Sequence, residues 1–112
     1  MFVDNNDGTI TDTQTNLIWQ KEYHKDKTHD EAISLQDDVW RLPTIDELIS
    51  LIDYGKFNPA STFLDMPRIH LWSSSSYADV SSYAWIVDFY YGDVNGRSRS
   101  LDGAVRLVRS KG

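Results

Sequence analysis

The chain is expected to fold as α+β, with two short helices packed on small antiparallel β-sheets. Three features predict this class. Thr28–Glu31 and Thr44–Glu47 each carry the Thr-x-x-Glu start signal of a helix. Ala84 to Tyr90 (AWIVDFY) alternates large apolar residues in the manner of a half-buried strand. The predicted order is a hairpin, then both helices, then several strands, rather than alternating strand and helix. With 112 residues, no repeat and no low-complexity linker, residues 1–112 read as a single domain.

The first element is a β-hairpin over residues 4–21. Thr9–Thr11 and Leu17–Trp19 are short and β-prone, and Asp12–Asn16 lies between them as the turn. The upstream stretch Asp4–Gly8 offers oxygen ligands, but Val3 stands where a calcium loop needs one. A tight turn with Gly8 at positive φ is the better account. Residues 22–27 (EYHKDK) are charged throughout and read as a loop. The first helix opens at the Thr28–Glu31 capping box and runs through Ala32 and Ile33. It is expected to continue through Leu35–Gln36 but to be short, because Asp37 and Asp38 oppose a helix C-terminus.

The segment Trp40–Asp53 (WRLPTIDELISLID) carries the strongest pattern in the chain. Pro43 holds Leu42 extended. Thr44 and Glu47 cap the helix, and Ile45, Leu48, Ile49 and Ile52 share one face at helical spacing. Gly55 is the expected stop. Tyr54–Arg68 is irregular, with Pro59 and Pro67 as breakers. A strand begins at Ile69. In Ala84–Tyr90, Trp85, Val87 and Phe89 are expected to point inward. Gly92–Gly96 reads as a turn and Ala104–Arg109 (AVRLVR) as one last strand. Trp19, Trp40, Trp72 and Trp85 are assigned to the core.

Composition narrows the function. The net charge of −6 argues against nucleic acid as a partner. No apolar run approaches a membrane span, so no membrane insertion is expected. The start MFVDNNDG shows no secretory signal, which does not fix the compartment. The absence of Cys removes thiol nucleophiles and thiolate metal sites. His24, His29 and His70 match no metal-ligand spacing, and no Gly-x-Ser-x-Gly elbow exposes a serine. No catalytic residue, metal or cofactor is therefore assigned, although a pocket joining His70 to one of Ser73–Ser76 would revive an enzyme. Arg97, Arg99, Arg106, Arg109 and Lys111 make the C-terminus basic. They can hold an anion or pair with the acidic N-terminal half.

The informative region is Ser73–Ser100, whose 28 residues hold eight of the twelve serines and four of the six tyrosines. Tyrosine with small polar residues is the composition of antibody paratopes. The same residues also decorate ordinary strand edges. Their position between predicted strands favours a binding surface. The candidate ligand-binding residues are Ser75, Ser76, Tyr77, Asp79, Ser82, Tyr83, Tyr90, Tyr91, Asp93, Asn95 and Arg97. Tyrosines would serve as anchors, Ser and Asn as adaptable hydrogen-bonding groups, and Asp79 or Arg97 as charge selectors.

The segments DGTITDTQTNLIWQK (7–21), WRLPTIDELISLIDYGKFNP (40–59), LWSSSSY (71–77), AWIVDFYYG (84–92) and VRLVR (105–109) together resemble the C-terminal domain family of Legionella collagen-like (Lcl) adhesins. The resemblance spans nearly the whole chain. It implies a C-type-lectin-like fold related to that of formylglycine-generating enzymes. It implies a non-enzymatic module binding a protein or glycan on a cell surface, secreted protein or phage particle. Domains of this kind also serve as variable proteins of diversity-generating retroelements, where the C-terminal half is diversified. The alternative reading is a structural module of a surface or phage-tip protein, with the Ser/Tyr face buried in a homo-oligomer. The chain departs from the family at the closing segment, where many members carry Cys and this one has Leu107. Residues 29–39 lack Cys as well, so no disulfide is expected and Leu107 becomes a core candidate. The cysteine chemistry of the enzyme relatives cannot carry over. The adhesin's association with sulfated glycans is weakened by the acidic balance here, while the basic tail keeps that option open.

Overall fold

The computed structural model describes residues 2–52, 70–76 and 81–110. The expectations for Tyr54–Arg68, Gly55, Tyr77, Asp79 and Lys111 lie outside the described residues.

Two antiparallel-rich sheets and two short helices make up the fold, in agreement with the α+β expectation. One sheet has the strand order β1 (Phe2–Asp4), β2 (Thr9–Asp12), β3 (Leu17–Gln20), β9 (Val108–Ser110). The other runs β4 (His24–Lys27), β8 (Gly103–Val105), β5 (His70–Ser76), β6 (Tyr83–Asp88), β7 (Asp93–Ser98). All neighbours pair antiparallel except β5 and β8, which are parallel at Leu71 and Ala104. Helix α1 spans His29–Ser34 and α2 spans Ile45–Ile49. The first and last strands thus share one sheet, and the Ser/Tyr-rich half supplies the core of the other.

The predicted β2–β3 hairpin forms with Asp12 opposite Leu17. The Asp4–Gly8 turn is a tight one, with Gly8 at φ 88. Asp4 Oδ1 accepts the Asn6 amide at 2.9 Å and Asp7 Oδ1 accepts the Thr9 amide at 3.0 Å. These carboxylates are therefore turned onto their own backbone. Both capping boxes form, with Thr28 and Thr44 each accepting an amide from the Glu three residues later.

Several assignments change. Residues 24–27, expected as a loop, form the strand β4, and Phe2–Asp4 forms β1. Both lie at sheet edges, where polar residues suffice because one side of the strand needs no apolar contact. Of the stretch 92–96, expected as a turn, residues 93–96 fall in β7. β7 pairs with β6 over six positions, with Gly96 opposite Trp85. The turn itself lies at residues 89–92. Both faces of β6 are buried: Val87 and Phe89 join the larger core, while Ala84 and Ile86 join a second one. Trp85 is only partly buried, so the inward face assigned to it is corrected. Trp19 and Trp72 are fully buried, and Trp40 is partly so. The expected last strand is broken at Arg106–Leu107, where the chain leaves one sheet for the other.

That break is built from buried groups. Leu107 is 3% exposed and packs in the second core, as expected of a residue that replaces Cys. The Gln20 amide donates to its carbonyl at 3.0 Å. Arg106 is fully buried. Its Nη1 donates to the Gln20 carbonyl at 3.1 Å and to the Lys21 carbonyl, and its guanidinium lies 5.3 Å from the Tyr23 ring centroid. A buried charge is tolerated here because carbonyl oxygens and a ring face replace water.

Helix α2 lays Ile45, Leu48, Ile49 and Ile52 on the larger core, as its periodicity predicts. The segment before it ties four elements together. Arg41 pairs with Val108 of β9 through reciprocal main-chain bonds of 3.1 and 2.9 Å. Its guanidinium grips Glu47 with bonds of 2.6 and 2.8 Å. Burial pushes the Glu47 carboxyl up, but Arg41 and the Thr44 amide outweigh it and hold the group below its usual range. The Pro43 carbonyl accepts the Ser74 amide of β5 at 2.8 Å.

The second core turns on Trp72. Its indole Nε1 donates to the Lys27 carbonyl at 2.8 Å. The ring crosses Gly103, the residue opposite Lys27 in the β4–β8 ladder. A Cβ at Gly103 would stand 2.7 Å from Trp72 Nε1 and 3.0 Å from Cε2. The buried indole cannot yield without losing its hydrogen bond. Gly103→Ala is expected to destabilise the fold by about 1–3 kcal/mol, read as a lowered urea midpoint with an unchanged m-value.

Candidate ligand-binding face

The two sides of the β5–β6–β7 sheet differ. On one, Leu71, Val87 and Val94 pack into the larger core beneath α2. On the other, cross-strand partners form successive rows: His70–Asp88–Asp93, then Trp72–Ile86–Asn95, with Ala84–Arg97 beyond. Trp72, Ile86 and Ala84 are buried in the second core. His70 and Asp88 are partly buried, Arg97 likewise, and Asp93 and Asn95 are exposed.

The described members of the predicted site fall into separate groups. Tyr90, Tyr91 and Asp93 sit at the turn end of the β6–β7 hairpin. Tyr90 and Tyr91 are 39% and 64% exposed, and their ring centroids lie 4.9 Å apart. Ser76, Ser82, Tyr83 and Arg97 sit at the opposite end, where Tyr83 pairs with Ser98. The six residues from Tyr83 to Asp88 span five steps, which separates the ends by about 17 Å at strand rise. Asn95 lies between them. Within one chain the residues therefore form two patches on one hairpin.

Several serines of the predicted site region are engaged internally. β5 carries a register shift between Trp72 and Ser76. Ser73 fills it: its Oγ donates to the Trp85 carbonyl at 2.6 Å and accepts the Ser75 amide at 3.1 Å. Ser75 Oγ accepts the Ile45 amide at 3.0 Å, so it serves the start of α2.

Arg99, absent from the predicted site, organises one end. Its amide donates to the Ser82 carbonyl at 2.9 Å. Its Nε donates to the Tyr83 carbonyl at 3.2 Å and its Nη2 to Ser76 Oγ at 3.3 Å. Arg97 donates Nε and Nη2 to the Asp102 carbonyl at 3.0 and 2.7 Å. Arg109 stacks 5.4 Å from the Trp40 ring. The described basic residues of the C-terminus thus reach carbonyls, a hydroxyl and rings. No local sequence signal distinguishes Arg99 from Arg97, because the difference lies in what β5 and α1 bring alongside.

His29 completes that end. It is 2% exposed, packs edge-on against Trp72 with centroids 5.2 Å apart, and contacts the Ser73 carbonyl through Nε2 at 3.0 Å. With Nε2 donating, Nδ1 is the acceptor facing Arg99 Nη1 at 3.4 Å. Burial lowers the His29 pKa first, and Arg99 adds to this, against the Ser73 carbonyl and Asp30. Protonation would turn Nδ1–H toward a guanidinium. His70, 4.0 Å from Asp88, is also lowered, by burial and then by Arg97, with Asp88 opposing. Asp88 Oδ1 itself accepts the Tyr90 amide at 2.8 Å, which fixes the hairpin tip. Among the described residues no group of His and acidic side chains is arranged to hold a metal ion. No described helix is long and apolar enough to cross a membrane.

The sign of the pH effect follows. The unfolded chain takes up protons near pH 6.5, while folded His29 resists them until lower pH. Stability should therefore fall as pH drops through that window. The melting temperature is expected to decrease between about pH 7.5 and about pH 5.5. His29→Gln, which can keep both hydrogen bonds without titrating, should remove more of that decrease than His70→Gln. An unaltered pH profile in His29→Gln would contradict the assignment.

With this geometry in view, the comparison with known families is direct. A family model described as the Lcl C-terminal domain matches residues 8–109. No curated protein matches the chain. The matched span runs from the β1–β2 turn through both helices and the sheet crossover to β9. The chain therefore belongs to the Lcl C-terminal domain family.

Proposed function

We propose that this is a non-enzymatic ligand-binding domain of adhesin type, with a C-type-lectin-like fold, that holds a protein or glycan through its Ser/Tyr-rich half. The observation that carries the reading is the exposure of Tyr83, Tyr90 and Tyr91, at 38%, 39% and 64%, on a hairpin whose strand β6 is buried on both faces. Tyrosines held on a rigid support offer contact area at low entropic cost. Family membership supports the adhesin-like role and the lectin-like fold. The non-enzymatic reading is supported by the use of Ser73 and His29: both side chains contact main-chain carbonyls, and neither forms a hydroxyl–imidazole pair.

The finer form of this reading is a retroelement variable protein, in which Ser73–Ser100 is the diversified segment. In support, the exposed tyrosines and Asn95 lie outside the contacts that tie β5 to α2 and α1. A reverse transcriptase gene beside the coding sequence, with a near-repeat of its 3′ end differing at adenines, is the expected genomic signature. A neighbourhood without either would remove that form and leave the adhesin reading in place.

The test of binding is substitution. A ligand is first selected on an array of immobilised glycans and surface proteins. The triple variant Tyr83→Ala/Tyr90→Ala/Tyr91→Ala is then expected to lose about 30-fold or more in affinity. Its melting temperature should shift by less than about 5 °C, since these are surface positions. Undiminished affinity would place the ligand elsewhere.

A further inference from the structure

We propose that two copies of this chain pair edge to edge through β7, antiparallel about a two-fold axis at Asn95, and that the ligand face is completed across that axis. The pairing is argued from the edge itself. The composite face rests on reading the Ser/Tyr surface as the ligand face.

β7 is the last strand of its sheet, and among the described residues no strand pairs with its outer side. The Arg99 amide donates to the Ser82 carbonyl, so residue 99 turns its main-chain groups toward the β6 side. In an antiparallel ladder this alternates. Arg97, Asn95 and Asp93 therefore also face β6, opposite Ala84, Ile86 and Asp88. Val94 and Gly96 turn their amides and carbonyls outward. Two such edges, brought together antiparallel, exchange these groups: Val94 of each copy bonds with Gly96 of the other.

The charges select this register. With Val94 opposite Gly96, Asp93 of one copy stands directly opposite Arg97 of the other, and the match occurs twice. Both side chains project from the same side of the sheet, at non-hydrogen-bonded positions where cross-strand side chains come closest. Edge strands are commonly protected by charges that repel a partner. Here opposite charges flank the centre at equal spacing, so the edge complements itself. A register one step further on would set Asp93 against Arg99, whose guanidinium is spread over Tyr83, Ser76 and His29, whereas that of Arg97 bonds to the single Asp102 carbonyl and lies nearer the exposed edge.

Pairing also resolves the split site. Antiparallel alignment about Asn95 brings the hairpin tip of one copy, with Tyr90 and Tyr91, beside Ser98 and Ser100 of the other. The tip lies about 17 Å away from the Tyr83 end of its own chain. The neighbouring copy supplies the tip that the other end lacks.

The chain has no cysteine, so an introduced thiol can only link two copies. At the axis, Asn95→Cys places two Cα atoms about 4.5 Å apart, within disulfide reach. Under mild oxidation it is expected to form a covalent dimer at least about tenfold faster than Arg97→Cys, whose own copies lie far apart. Asp93→Cys and Arg97→Cys, mixed, should link to each other. In sedimentation, Asp93→Arg should be monomeric, and Asp93→Arg/Arg97→Asp should dimerise again. Circular dichroism checks that each variant is folded. Equal linking of Asn95→Cys and Arg97→Cys, or a monomeric double reversal, overturns the pairing. None of these measurements uses a ligand. Chains that pair but bind nothing on the array would retain the pairing and overturn the ligand reading alone.

Discussion

The fold depends on one corner. Opposite each other, β3 with β9 and β4 with β8 form two short antiparallel ladders in different sheets. Gln20 bonded to Leu107 continues the first ladder to the corner, and the extra residues Lys21–Tyr23 make the bend. A bend of this kind exposes carbonyls that have lost their ladder partners. Arg106 answers those of Gln20 and Lys21 with one guanidinium, and Tyr23 covers its face. A smaller or neutral side chain would leave buried acceptors unmatched, which costs more than the bonds themselves contribute. This buried charge satisfies the acceptors at the junction where the chain passes from one sheet to the other.

From that corner the support for the hairpin is built outward. Arg41 attaches the segment before α2 to β9 and clasps Glu47, which in turn completes the helix cap. Pro43 and Ile45 then reach β5 through Ser74 and Ser75. On the opposite side of the sheet, Trp72 spans from β5 to the Lys27 carbonyl over a glycine, and His29 docks α1 against it. The contacts from Pro43, Ile45, Trp72 and His29 converge on β5, and β6 and β7 follow from β5 in the sheet. The free edge is therefore the part furthest from the corner, and it carries the exposed polar residues.

Much of this was legible in the sequence where local chemistry decides. Both capping boxes, the β2–β3 hairpin, the Gly8 turn and the apolar face of α2 follow from short-range patterns. Leu107 as a core residue followed from the family comparison. What was not legible depends on partners distant in the chain. β4 has no apolar alternation because only β8 pairs with it. β7 contains two turn-prone residues, and its strand identity comes from β6. The break at Arg106 looks like continuous alternation until two sheets compete for its flanks. In the candidate site, residue type identified a Ser/Tyr surface, but not its division between two ends of a hairpin. Nor could it separate Ser73 and Ser75, which serve the fold, from Ser76 and Ser82 at the rim. Arg99 and His29 went unmarked because their roles arise only where α1, β5 and β7 converge.

Arg99 holds Ser76 on one side and Ser82 with Tyr83 on the other. One residue therefore fastens the end of β5 and the start of β6 to the chain just beyond β7, through its guanidinium and its own amide together. Replacing Arg99 would loosen three strand ends at once, so its substitution is a change of frame rather than of surface.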